Sequence, residues 1–130
     1  MREILFRGKR KSNGELAYGN FVRGCVDDFA YIVEFGNKEL CRNYVEVIPE
    51  TVGQYTGLTD KNGTKIFEGD IIQSLETKET AVVQWFPEHS AFMVWCKSSN
   101  EVGFLYECTK SNIEVIGNIY DNPELLEVSE

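Results

Sequence analysis

The sequence predicts a mostly β protein: an N-terminal β-rich unit packed on a C-terminal SH3-like small barrel, with one short C-terminal helical turn. Three observations predict it. Eight Phe, six Tyr and two Trp accompany eleven Gly and three Pro in 130 residues, a mixture that suits short strands joined by tight turns. Nine to eleven β-prone runs can be marked between turn signals. The run Phe67-Glu68-Gly69-Asp70-Ile71-Ile72 has the form of an SH3-like barrel entry, where a Gly-Asp pair leads into a long bent strand.

Taken in order, residues 3–22 read as a hairpin about Asn13-Gly14, a strong short-range hairpin signal. A two-residue loop there pairs Phe6 with Phe21 and sets Gly8 against Gly19, a thin spot open to another backbone. Asp27-Asp28 makes the next turn. Residues 29–35, FAYIVEF, are a central strand, and Gly36-Asn37 turns into weaker strands at 39–42 and 44–48. Pro49 cannot continue a ladder, so a boundary is expected between units 1–50 and 51–130, which pack together.

The stretch 54–72 forms a second hairpin about Asp60-Lys61-Asn62-Gly63. Asn62 and Gly63 tolerate the positive φ of a tight turn, Gly69 bends the following strand at 65–75, and Asp70 accepts hydrogen bonds from turn amides. These five residues, Asp60, Asn62, Gly63, Gly69 and Asp70, are assigned structural roles. Strands 81–86 and 91–96 flank the loop Pro87-Glu88-His89-Ser90, followed by strands at 102–106 and 113–116, the last ending at Gly117. Asn122-Pro123-Glu124 has the makeup of a helix start, which Leu125 and Leu126 can dock.

The net charge of −8 is unevenly spread. Eight basic and eight acidic residues balance in 1–50, whereas five basic residues face thirteen acidic ones in 51–130. Nucleic acid is therefore not an expected partner of the second half. No apolar run approaches the ~20 residues that span a bilayer, and the opening MREILFRGKRKSNG is too charged for a signal peptide. A cytoplasmic protein without membrane association is expected. Cys25, Cys41, Cys96 and Cys108 are far apart and form no C-x-x-C pair.

Four segments carry a family likeness: FRGKRKSNGELAYGN at 6–20, VIPETVGQYTGLTDKNGTKIFEGDII at 47–72, VVQW at 82–85 and EVIGNIYDNPELL at 114–126. Together they cover about half the chain, and they resemble the YopX family of phage and prophage proteins from Gram-positive bacteria. The resemblance implies a phage-encoded protein of the bacterial host cytoplasm, largely β, with no established biochemical activity and no catalytic motif to carry over.

The residues themselves suggest no enzyme. His89 is the only histidine and sits in a turn. Counted as a calcium loop, Asp60 onward puts Lys65 where Gly is needed and Ile71 where Glu is needed. Glu68 and Asp70 as an acid/base pair are outweighed by Asp70 as a turn acceptor. No cofactor is expected. An accessory protein acting by protein binding or self-association is the leading expectation. An acidic inhibitor that imitates nucleic acid is weighed below it. The alternative is a nucleic-acid-associated protein using the basic hairpin, where Arg7, Lys9 and Lys11 share a face beside Tyr18.

Residues 87–90 as a four-residue loop pair Phe86 with Ala91, Trp85 with Phe92, Gln84 with Met93, Val83 with Val94 and Val82 with Trp95. One face then carries Val83, Trp85, Phe92 and Val94 as core. The other carries Val82, Phe86, Met93 and Trp95, too apolar for a solvated face. This second set is the candidate interface. It predicts a homo-oligomer, with a host or phage protein as a further possible partner.

Overall fold

A computed structural model describes residues 2–24, 29–34 and 43–126. It is mostly β and antiparallel, and it divides into two compact units, Met1–Tyr55 and Thr56–Glu130. The division falls inside one continuous strand.

The first unit holds β1 (Phe6–Lys9), β2 (Leu16–Arg23), β3 (Ala30–Glu34), β4 (Asn43–Val47) and the start of β5 (Gly53–Thr59), in the order β4-β3-β2-β1-β5. The sheet curls until β4 comes back to the end of β1. Arg10 bridges Val47, the Lys11 amide donates to the Glu46 carbonyl at 3.0 Å, and the Ile48 amide donates to the Lys9 carbonyl at 2.9 Å. The small residues permit that curl. A Cβ on Gly8 would stand 3.1 Å from the Val47 side chain. Ala17, Ala30, Ile32 and Val47 fill the interior, with Phe6 and Phe21 packed against them.

The first hairpin departs from its expected register by two residues. Phe6 pairs with Gly19 and Gly8 with Ala17, so Gly8 does not face Gly19. The reason is local. A two-residue loop needs positive φ at both Asn13 and Gly14, but only Gly14 adopts it, at +77°. The loop widens to residues 11–14, closed by the Arg10 amide on the Glu15 carbonyl at 2.8 Å, with the Asn13 side chain accepting from the Glu15 amide. Phe6 and Phe21 still meet, diagonally, with ring centroids 5.7 Å apart. The close backbone approach falls on Gly19 alone, where a Cβ would lie 2.1 Å from the Val33 carbonyl oxygen of β3. β3 is central, between β2 and β4. The turns expected at Asp27-Asp28 and Gly36-Asn37 and the strand at 39–42 lie outside the described residues.

The second unit holds the end of β5 and β6 (Lys65–Phe67). Its main sheet contains β7 (Asp70–Ser74), β8 (Thr80–Phe86), β9 (Ala91–Cys96), β10 (Glu101–Phe104) and β11 (Ile113–Asn118), ordered β10-β9-β8-β7-β11. The chain meanders through four strands and returns with the fifth beside the first, leaving β10 and β11 at the edges. The β8–β9 register matches the sequence reading pair for pair, from Phe86 opposite Ala91 to Val82 opposite Trp95. Ile66, Ile72, Val83, Val94, Leu105 and Ile113 form the core, with Phe92 packed against it. Trp85, expected in that core, is instead 45% exposed and stacks edge-on against Phe92 at 5.0 Å, because it sits at the loop end of β8, one residue before the strand stops.

The other corrections concern strand ends. The expected strand at 102–106 stops at Phe104, and Leu105–Cys108 forms a short helix, α1. One helical turn drives Leu105 to 0% exposure while Tyr106 and Glu107 stay out, which a continued strand on this edge does not do. The expected strand at 65–75 is interrupted by a turn at Glu68 and Gly69. β11 runs past Gly117 with a bulge between Val115 and Gly117. A Cβ on Gly117 would stand 2.5 Å from the Asn122 side-chain oxygen, so any larger residue there must displace that side chain. The terminal turn is a 3-10 helix at Pro123–Leu126.

Candidate functional site

The stretch from Asp60 to Asp70 is held by buried carboxylates. Asp60, only 7% exposed, accepts from the Asn62 and Thr64 amides on Oδ1, each at 2.9 Å, and from the Val115 amide on Oδ2 at 2.9 Å. One side chain thus builds the turn and ties it to β11. The Lys61 amide adds a bond to the Ile113 carbonyl at 3.2 Å. Gly63 takes φ +82°, whereas Asn62 does not use the left-handed region, so the loop is a turn closed by one glycine. The side chain of Asn62 reaches only Glu114, at 3.5 Å. Asp70 is buried and accepts from the Phe67 amide at 2.8 Å. Gly69, φ +88°, lies under the Tyr120 ring, which a Cβ would approach to 3.1 Å. The Asp60 and Asp70 carboxylates are occupied in holding backbone.

The basic hairpin is largely committed to the fold. Arg7 is 5% exposed, and Tyr18 stands opposite it. Arg10 pairs with Glu34 at 2.8 Å and Lys11 with Glu46 at 3.2 Å, and Lys11 also lies over the Phe29 ring. The Lys9 amide donates to Thr51 Oγ1. Of the residues meant for a phosphate backbone, Arg7 is buried and Lys11 is partnered by a carboxylate, so the stripe presents less free positive charge than the sequence suggests.

The apolar outer face of the second unit divides in two. Register places Val82, Trp95 and Val102 in one row and Gln84, Met93 and Phe104 in the next. Val82 and Met93 are buried within the chain, and the Pro123–Leu126 turn lies against β8. Phe86 and Trp95 are half-buried, the Trp95 indole N–H donating to Asn100 Oδ1 at 2.9 Å. Val102 and Phe104, which sequence reasoning left out, are each 47% exposed on edge strand β10, and Phe104 meets the His89 ring at 5.7 Å. The signal for them was present: an edge strand with apolar residues at alternate positions. Of the four candidate interface residues, then, only Phe86 and Trp95 offer surface, extended by Val102 and Phe104.

Cys96 and Cys108 are free thiols. Burial opposes ionisation of Cys96, but hydrogen bonds from the Ser98 and Ser99 side chains and backbone outweigh it and hold the thiol below its usual range. Burial, and then the Glu107 charge, push Cys108 up. Among the described residues no three His, Cys, Asp or Glu side chains are grouped to hold a metal ion, and no helix is long and apolar enough to cross a membrane.

Fold and geometry together define an antiparallel β protein of two units, with buried carboxylates anchoring its turns and an apolar edge left open. Residues 5–127 match the family described as YopX protein, and the chain belongs to that family. Among solved structures it is similar to the crystal structure of protein EF1440 from Enterococcus faecalis, at 20% identity and a TM-score of 0.55, over 98% of this chain and 100% of that one. At that identity the likeness is one of fold. No curated protein matches the sequence.

Proposed function

We propose that this is a phage- or prophage-encoded accessory protein of the host cytoplasm that works by binding, without catalysis, through the outer face of its second unit. The observation that carries the reading is the exposed or half-buried apolar set Phe86, Trp95, Val102 and Phe104, the last two on β10, an edge strand of the sheet among the described residues. An edge exposes backbone donors and acceptors, and alternating apolar side chains beside them are what strand addition uses. A second copy of the chain is the partner proposed first, and a host or phage protein is the alternative occupant. The meander, the helical turn and the returning fifth strand support reading this unit as an SH3-like barrel.

Light scattering on the eluting protein tests self-association. Wild type is expected as an oligomer, and Phe104→Lys as a monomer with an unchanged circular dichroism spectrum. A wild-type mass equal to one chain at all concentrations refutes self-association. Absence of any bound protein in a pull-down from host cells then refutes the binding reading as a whole.

A further inference from the structure

The second unit carries a half-open cavity of about 240 Å³. It lies on the core face of the sheet, opposite the outer face described above. Ile72, Ala81, Val94 and Ile113 give it apolar walls. The β9–β10 register places Glu101 opposite Cys96 on the same face as Val94, and Glu79 comes from the loop before β8. Both glutamates are exposed and stand at the opening, and neither carboxylate forms a salt bridge among the described residues. No lysine, arginine or histidine lines the cavity. Its volume falls below the roughly 300–1,000 Å³ of sites for drug-sized ligands, so the fitting ligand is a fragment.

From this we infer that the cavity is a binding site for a small organic ammonium, its alkyl part among Ile72, Val94 and Ile113 and its cationic head between Glu79 and Glu101. The charge sets the class. Apolar walls alone accept any short chain, while the two carboxylates at the opening attract a cation and repel an anion. The second half of the chain, which carries the whole net charge of −8, adds to the same preference. Gly103 lines the cavity and provides a plug: a Cβ there meets only Val94, at 3.9 Å, in ordinary contact, so a larger side chain can enter without backbone strain.

The test is an amide NMR titration of the full chain with n-hexylammonium, hexan-1-ol and hexanoate, three probes of equal length and different charge. Hexylammonium is expected to shift the Val94, Gly103 and Ile113 amides with a dissociation constant of about 1 mM. It should bind about fivefold tighter than hexanol, the gain open to a partly solvated ion pair, with hexanoate weakest. Glu79→Gln with Glu101→Gln should remove that advantage and leave hexanol unchanged. Gly103→Leu should abolish the shifts for all three probes. Equal binding of hexanol and hexylammonium overturns the inference. So do shifts confined to Phe86, Trp95 and Phe104, or no shift at about 50 mM. Should Gly103→Leu unfold, the glutamine pair still decides.

Discussion

Asp60→Ala removes the side chain that ties the turn of the second unit to β11. Three amides lose a carboxylate acceptor: Asn62, Thr64 and Val115, each bonded at 2.9 Å. A hydrogen bond to a charged group contributes about 1.5–3 kcal/mol, and an orphaned buried amide costs a similar amount. The three are unequal. Asn62 and Thr64 are exposed, so water recovers most of their loss, at roughly 0.5 kcal/mol each. Val115 is half-buried on β11 and recovers less, about 2 kcal/mol. The expected loss is about 3 kcal/mol. Asp60→Asn keeps one oxygen for the turn amides but turns an NH2 toward the Val115 N–H, two donors face to face, for a loss of about 2 kcal/mol. Asn62→Ala should change stability by less than about 0.5 kcal/mol, because Asn62 contributes its backbone amide and only a 3.5 Å side-chain contact. Urea unfolding followed by tryptophan fluorescence reads the right unit, since Trp85 and Trp95 are the only two tryptophans and both belong to the second unit. A loss below about 1 kcal/mol for Asp60→Ala, or wild-type stability for Asp60→Asn, refutes the assignment.

Four further outcomes are expected. Gly69→Val should destabilise more than Gly63→Ala by thermal melting, because both positions have positive φ but only Gly69 also lies 3.1 Å from a ring; about 1 kcal/mol is expected for Gly63→Ala, and the reverse order contradicts the geometry. Leu105→Ala should lose about 2–5 kcal/mol in urea unfolding, as for other fully buried leucines, and a near-neutral result means α1 does not anchor the core. As pH is raised, Cys96 should be alkylated by iodoacetamide before Cys108, read by peptide mass mapping, because the first thiol is lowered and the second raised. Limited proteolysis with proteinase K should not release two stable fragments parted near residue 55, since β5 passes that point as hydrogen-bonded strand; a clean pair of fragments overturns this.

Where the sequence was legible, local chemistry decided the structure. The β8–β9 register followed from a Pro-Glu-His-Ser loop of fixed length between two β-prone runs, and strand alternation then sorted the faces. The first hairpin misled because Asn-Gly serves two loop lengths, and nothing within the chain's near neighbourhood says which. Leu105 lies in a run, VGFLYE, whose Val, Phe and Tyr favour strand; its helical turn buries one leucine in the core, a tertiary fact. The partners of the basic stripe, Glu34 and Glu46, and the Asp60 bond to Val115 cross 24, 35 and 55 residues. The burial of Val82 and Met93 likewise required knowing what lies over β8, and only the pattern of alternation hinted that something must.

The reach from Asp60 to Val115 also sets an order of events. The β7–β8, β8–β9 and β9–β10 pairings join neighbours in the chain and close over short loops. The β11–β7 pairing cannot start until residue 113 has been made. Until then a growing chain carries β7 with one bare edge and Asp60 with only its two local amides. Such an edge invites a wrong strand. A released chain that stops before residue 113 should therefore be cut by protease within β7, and one that also carries residues 113–118 should be protected there.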